Sequence, residues 1–483
     1  MPVWDAVIIG GGPAGATAGR LLTQWGHSVA ILTAPAGRRP QLAECLPPST
    51  RKLFGFLGIL DEIDGAGFYR TTGNTVWWGG RRRVEPYPEG WGYQVLRSDF
   101  DGLLLSLARS AGARVEVGKA FGVVGAKGPG VEFQAGEQRA RVRARFVLDC
   151  SGRARVLGRT FHVKQLTPKT IALCGIWRNE PNWRLPDETH TLVEAYGDGW
   201  AWSVPVSPFI RHAAFMVDPG ETRMARGQGL GAAYLAELAK TRALRRIFGR
   251  GTLEAAPWGR DASLYSAKRY GGPGFLLVGD AGSFIDPLSS FGVKKAMVSA
   301  WVGAVVANTC LRRPEMQRAA LEFFEAREVE VYADCCKLSA SWFRKASGRF
   351  ARPFWEQRAE LADAPLQEED ADAARRALQE LRRKAVLRLR RAAGVRVEQR
   401  PGIEGREIVM RDVLAGPGVA RDLDFLESVN LPRLAELAEQ HGQVPELYEA
   451  YNRVCPQVAL PNFLTALAAL VAKKILVDRA AAG

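Results

Sequence analysis

Val3-Trp4-Asp5-Ala6-Val7-Ile8-Ile9 runs directly into Gly10-Gly11-Gly12-Pro13-Ala14-Gly15, and this stretch decides the fold. Val3–Ile9 is a short apolar run, suited to a buried parallel strand. Ala16–Gln24 has helical composition, and His27–Leu32 reads as a second strand. Strand, glycine turn, helix and strand make a βαβ unit. In such a unit Gly10 makes the tight turn and Gly12 lets the backbone approach a pyrophosphate. Pro13 and Ala14 open the helix, and Gly15 lets it pack on the strand. The helix N-terminus then offers free N–H groups and a positive dipole end to phosphates. The pattern predicts a dinucleotide site. An acid commonly ends the second strand and binds the ribose. Here Thr33 stands in that place, with a hydroxyl as the remaining hydrogen-bonding group.

Further along, Arg97–Ala108 predicts a helix with an acidic first turn. Arg114–Val117 and Gly130–Gln134 alternate as strands, and Phe146–Asp149 is another buried strand. Residues 170–260 hold short alternating segments and turn residues, the pattern of an antiparallel sheet. Phe275–Val278 is again an apolar strand, and Val293–Cys310 a long apolar helix. From about residue 315 strands are expected to vanish and helices to dominate.

The chain has 483 residues with 47% hydrophobic and 24% charged, a globular composition that excludes disorder and collagen. Lys plus Arg is 66 and Asp plus Glu is 51, a formal charge of +15 that favours an acidic partner. Eight basic residues crowd into 381–400 against the single acid Glu398. They read either as a solvated face or as a docking surface for an acidic protein. The seven cysteines are odd in number and form no CxxC pair, and the histidines are scattered, so neither a disulfide framework nor a metal site is expected. No signal peptide, membrane span or nucleic-acid motif is read, and a cytoplasmic location is expected. The stretch NFLTALAALVAKKILV, broken by Lys473 and Lys474, reads as an amphipathic packing helix.

Three segments resemble known elements. Leu148-Asp149-Cys150-Ser151-Gly152-Arg153 resembles the strand-end D-x-[SD]-G element of flavin monooxygenases. Leu277-Val278-Gly279-Asp280-Ala281-Gly282 resembles their GDA motif, whose aspartate contacts the ribityl chain of FAD. Arg97, in RSDFD, resembles the arginine that contacts the FAD phosphate. The resemblance covers about residues 1–330 and implies FAD as cofactor. It implies an α/β fold with a doubly wound, Rossmann-like FAD domain from 1–165 plus 265–325. An antiparallel-sheet substrate domain from 70–95 plus 166–264 is inserted in it, and an α-helical C-terminal region covers 326–483. No second GxGxxG follows a strand, so electrons are expected from an external flavin reductase or an NAD(P)H donor.

Within that superfamily, Gly199-Trp200-Ala201-Trp202-Ser203-Val204-Pro205 resembles the GWxWxIP motif of flavin-dependent halogenases. Glu44-Cys45-Leu46-Pro47 is similar to the E-x-[LV]-P stretch of halogenases and geranylgeranyl reductases. Asp286–Val293 resembles the segment beside the isoalloxazine ring, which brings in Phe291, Gly292 and Val293. Halogenases also need a lysine shortly beyond Leu57-Gly58-Ile59. Here that place falls near Gly73-Asn74, and no lysine occurs from Leu53 to Gly118. Tryptophan halogenases carry a glutamate after the D/E-P-L stretch, where Ser289 stands.

This combination resembles the hydroxylating maturases of tryptophylquinone enzymes, the quinohemoprotein amine dehydrogenase type and LodB-like proteins. The resemblance implies a monooxygenase that uses reduced flavin and O₂, through a C4a-hydroperoxide, to hydroxylate an indole-like group. A tryptophan of an acidic protein is one such substrate. A halogenase with relocated catalytic residues, a geranylgeranyl-reductase-like saturase and an FAD-stabilised escort protein are the alternatives. Glu44, Lys294 and Lys295 are candidate catalytic residues. Each also reads as structural. Trp77, Trp78, Trp200 and Trp202, with Pro205 and Phe291, are candidate pocket residues, as are Trp91 and Trp258. Several of these are expected to be plain core. Arg81-Arg82-Arg83 reads as an exposed hairpin turn or an anion-steering group.

Overall fold

The computed structural model describes residues 3–478 apart from 36, 38–42, 89, 124–129, 162, 166–167, 223–228, 363–371, 384–385, 387, 418 and 420–422. The chain divides into two compact units, Met1–Leu366 and Gln367–Gly483.

In the first unit, Val3–Ile9 lies at the centre of a parallel sheet. Its neighbours are Val29–Thr33 and Gln138–Asp149, with Arg114–Val117 and Phe275–Leu277 outside them. Val7 and Ile8 are fully buried, as a strand covered on both faces requires. The helix Pro13–Gln24 follows the glycine turn and packs on the helices Arg97–Ser110 and Gly292–Arg312. The βαβ reading and the doubly wound sheet stand as expected.

A second sheet of eight strands comes from two separate stretches of sequence. Ile171–Arg178, Thr191–Tyr196, Gly199–Pro205 and Ile210–Val217 form its body. Gly73–Trp78 joins in parallel with Thr191–Tyr196, and Arg81–Pro86 closes the edge. Strand alternation splits its side chains cleanly. Trp200, Ala214 and Met216 face one side, while Leu192, Phe215 and Tyr196 face the other. That other side is covered by the helices Leu230–Lys240 and Ala243–Phe248, which the sequence reading had folded into the sheet.

Glu194 explains how the second helix is seated. Its buried carboxylate accepts from the backbone N–H groups of Arg242, Ala243 and Leu244 at 2.6–3.0 Å, at the positive end of the helix. Glu194→Ala is expected to lower stability by about 2–3 kcal/mol, the worth of charged hydrogen bonds left unmade. FAD affinity is expected to stay unchanged, because Glu194 points away from the sheet face that carries the site. Thermal melting alongside flavin titration checks both.

The 31-residue helix Gln317–Ser347 belongs to the first unit, so the division falls at 366 rather than at 326, inside that helix. The second unit is mainly helical, with Leu434, Leu447, Tyr451, Phe463 and Leu467 at its core. It also holds a long hairpin, Arg396–Glu404 with Glu407–Ala415, where no strand was expected. Arg396, Glu398, Arg400 and Glu404 share one face of its first strand, but Pro401-Gly402 in the middle of that strand reads as a turn. Leu460–Ala472 is the expected amphipathic helix and stops before Lys473. No helix among the described residues is long and apolar enough to cross a membrane. Within 381–400, Arg391 pairs with Glu439, and Arg396 and Arg400 both pair with Glu398. Lys384 lies outside the described residues.

Candidate functional site

A cavity of about 580 Å³ opens at the C-terminal end of Val3–Ile9 and runs along the inner face of the second sheet. Its first end is the glycine turn. Gly10 has φ +105°, and a Cβ there would lie 2.4 Å from the Cys150 carbonyl oxygen. A Cβ on Gly15 would lie 1.9 Å from the Gly10 oxygen. Those two glycines are demanded by the fold itself. Gly12 differs. A Cβ there meets only Asp101 at 3.6 Å and Arg97 at 3.9 Å, which is ordinary contact, and it would project into the cavity. Gly12 therefore leaves room for a ligand and not for the chain. Pro13, Ala14 and Thr33 line the same end, while Gly15 is buried behind it.

Arg97 stands over this end. It grips Asp101 with two 2.9 Å hydrogen bonds and lies 3.5 Å from Glu44. Enclosure pushes the Glu44 carboxyl up, against the pull of Arg97. Glu44 lines the cavity, but beside the Arg97 guanidinium at the glycine-turn end. That placement suits charge balance and not a base acting on substrate.

Asp280 lines the middle of the cavity. Lys295 backs it from the first turn of the helix Gly292–Arg312. The buried Lys295 ammonium donates to the carbonyls of Gly279 and Ser283 and sits 3.9 Å from Asp280 Oδ1. Lys295 thus fixes the loop that carries Asp280 and does not reach the cavity. Burial pushes the Asp280 carboxyl up, and Lys295 and then Arg97 draw it down. Lys294 does not line the cavity either. Its ammonium lies 5.5 Å from the Phe291 ring, and burial, with Lys52 nearby, holds it below the usual range.

Asp149 also differs from expectation. It is fully buried, and its two oxygens accept from the N–H groups of Ser151, Leu157 and Gly158, so it shapes the loop instead of touching a ligand. Gly152 at the loop start lines the cavity, as do Gly292 and Val293, whereas Gly279 is buried against Ala296 and Ala14.

The far end is aromatic and apolar. Trp200, Trp202, Val193, Met216, Phe284 and Leu288 line it. The other expected pocket residues lie elsewhere. Trp78 packs edge-on against Trp200, Trp342 and Trp355 and donates to the Trp342 carbonyl. Trp77, one residue earlier, points to the opposite face of the sheet. Pro205 and Phe291 stand outside the lining, Phe291 against Ile285 and Tyr332. Trp258 is core, and Trp91 lies between Arg51 and Arg70. Arg81, Arg82 and Arg83 lie on the edge strand itself, the turn being Gly79-Gly80.

Asn74, where the resemblance would place a lysine, is on the strand Gly73–Trp78 and accepts from the Tyr87 hydroxyl at 3.4 Å. Among the described residues no lysine lines the cavity. Several lining residues escape the sequence analysis, among them Val193, Met216, Phe284 and Asp286. Asp286 sits between Phe284 and Leu288 at the aromatic end and is 6% exposed. The signal for Asp286 is the Asp-Pro-Leu segment, whose resemblance places it beside the isoalloxazine ring.

The sequence profile of tryptophan halogenases matches residues 82–386. The chain belongs to the tryptophan halogenase family. A curated tryptophan 2-halogenase of Chondromyces crocatus is 26% identical over 346 residues, 66% of this chain and 64% of that protein. A flavin-dependent halogenase of Metacordyceps chlamydosporia is 27% identical over 338 residues, 63% of this chain and 65% of its own length. The matches thus span just under two thirds of these two relatives. Among solved structures, the flavin-dependent halogenase CmlS superposes with a TM-score of 0.80 at 22% identity, covering 99% of this chain and 97% of its own. The peptidyl tryptophan dihydroxylase QhpG, essential for tryptophylquinone cofactor biogenesis, superposes with a TM-score of 0.75 at 21% identity, covering 98% and 99%. Both share the fold. The cofactor of this family member is FAD. The open space over Gly12 and the positive helix end beneath it fit a pyrophosphate.

Proposed function

We propose that this chain is an FAD-dependent monooxygenase that hydroxylates an electron-rich, indole-like ring. The observation that carries the reading is the absence of a lysine among the described residues lining the cavity. Halogen transfer in this family, as the sequence resemblance implies, works through an ammonium between flavin and substrate. Lys295 cannot serve, because its hydrogen bonds are committed to two backbone carbonyls behind the loop.

In this reading Gly12 and the N–H groups of the following helix hold the pyrophosphate, and Thr33 and Arg97 flank the adenosine half. Asp280, fixed by Lys295, accepts a hydrogen bond from the ribityl chain. Bound FAD, once reduced, supplies the activation of dioxygen. Trp200, Trp202 and Leu288 hold the ring and exclude water from it. Electrons come from a separate flavin reductase. A tryptophan within an acidic protein suits the charge of +15.

Family membership favours halogenation as the second reading. The two separate in one assay. The protein is given enzymatically reduced FAD, air and indole, with and without bromide. An oxygenated product at a rate independent of bromide is expected. A brominated product that depends on bromide would replace the proposal with the second reading.

A further inference from the structure

Five carboxylates line the cavity, and four of them face a cation. Glu44 and Asp101 share Arg97 at 3.5 and 2.9 Å, Asp261 meets Arg153 at 2.8 Å, and Asp280 meets Lys295 at 3.9 Å. Asp286 is the fifth. No cation lies within 4 Å of it among the described residues. Its Oδ1 accepts from the Leu288 N–H at 2.9 Å, which fixes the carboxylate, and Oδ2 makes no hydrogen bond among the described residues. Leu288, tied to it in this way, packs against the cluster that holds Trp200 and Trp202.

We propose that Asp286 is the catalytic base that removes the proton from the aromatic ring of the substrate. The inference rests on the proposed function only in requiring substitution on an aromatic ring. When a new bond forms at a ring carbon, that carbon still holds its hydrogen. The C–H bond must then break, its electron pair must return to the ring, and the proton must go to an acceptor. The balance is the same for oxygen or halogen transfer. Among the described residues lining the cavity, Asp286 is the carboxylate with an oxygen that is free, fixed and at the aromatic end.

The groups around Asp286 suit this role. Burial pushes its carboxyl up to about 6, with Leu288 N–H and then the Arg358 charge drawing it down. Arg358, on the helix Pro353–Ala359, donates to the Phe354 and Lys169 carbonyls and to Thr170. From the helix Gln317–Ser347 comes Cys336, pushed up to about 11 by burial, so it faces Asp286 uncharged, with Tyr332 beside it against Ile285. The carboxylate is thus a base above about pH 6 and an acid below it.

The test uses the FAD-loaded protein with reduced flavin, air, and either indole or the tripeptide Gly-Trp-Gly. Wild type should give product at a rate that rises with pH through about 6 and then levels. Asp286→Asn keeps the acceptor for Leu288 N–H. It should retain the flavin spectrum and oxygen consumption while product falls by about a hundredfold or more, with no rise near pH 6. Asp286→Glu should recover part of the rate. Wild-type rate and an unchanged pH profile in Asp286→Asn would overturn this inference alone. No product from the wild type with either ring would overturn the proposed function, and the inference with it.

Discussion

Gly12→Ala folds normally and loses FAD. The structure gives the contrast that makes this informative. The added Cβ meets nothing closer than 3.6 Å within the chain, and Gly12 has φ −77° and ψ −169°, which alanine adopts without strain. Loss of glycine at the position before the helix costs about 1 kcal/mol of stability at most. The methyl projects where a pyrophosphate must approach the backbone, so affinity is expected to fall by about a hundredfold or more, near 3 kcal/mol. Gly15→Ala behaves differently. Its Cβ would lie 1.9 Å from the Gly10 carbonyl oxygen, so strand and helix must part and the fold itself suffers. Circular dichroism, melting and FAD titration of the two variants check the pair. Wild-type affinity in a folded Gly12→Ala protein would remove the cofactor from this turn.

Lys295→Met is expected to destabilise the Asp280 loop by about 2–3 kcal/mol. Breaking a buried ion pair from one side costs about 3–5 kcal/mol, and the lower figure applies because Asp280 opens in part to the cavity. Two carbonyls, of Gly279 and Ser283, lose their donor at the same time. Asp280 loses the first of the charges that draw its carboxyl down, so it takes up a proton at higher pH than in the wild type. A protonated Asp280 is a poorer acceptor, and FAD affinity should weaken as pH falls, over a range where the wild type is unaffected. Asp280→Asn in the same background removes the unpaired charge, so the double variant should be more stable than the sum of the singles. Strict additivity would mean that the two groups do not interact.

The glycine turn and the parallel sheet were legible because each is written in a few neighbouring residues. The pocket was only half legible. Trp78 and Trp200 look alike in sequence, yet one is packed among tryptophans and the other lines the cavity. Trp77 and Trp78 alternate across a strand, and which face is inside depends on a pairing with residues more than a hundred positions away. Asp149 ends one strand of the parallel sheet, and Asp280 follows another by three residues. Backbone N–H groups of the loop that follows, from Ser151, Leu157 and Gly158, claim Asp149. Asp286 stood in a segment already singled out. What marks it is that no cation lies within 4 Å of it among the described residues, and that follows from where Arg97, Arg153 and Lys295 have gone. The hairpin at 396–415 escapes the sequence because Pro401-Gly402 reads as a turn in the middle of its first strand.

In the proposed reaction oxygen, and not halogen, reaches the substrate ring. The direct measurement is mass spectrometry of the product formed from indole by the FAD-loaded protein, with reduced flavin supplied enzymatically, under isotopically labelled dioxygen and with bromide present. The expected product carries one labelled oxygen atom and no bromine. A brominated ring without labelled oxygen would contradict the account and place this chain among the halogenating members of its family.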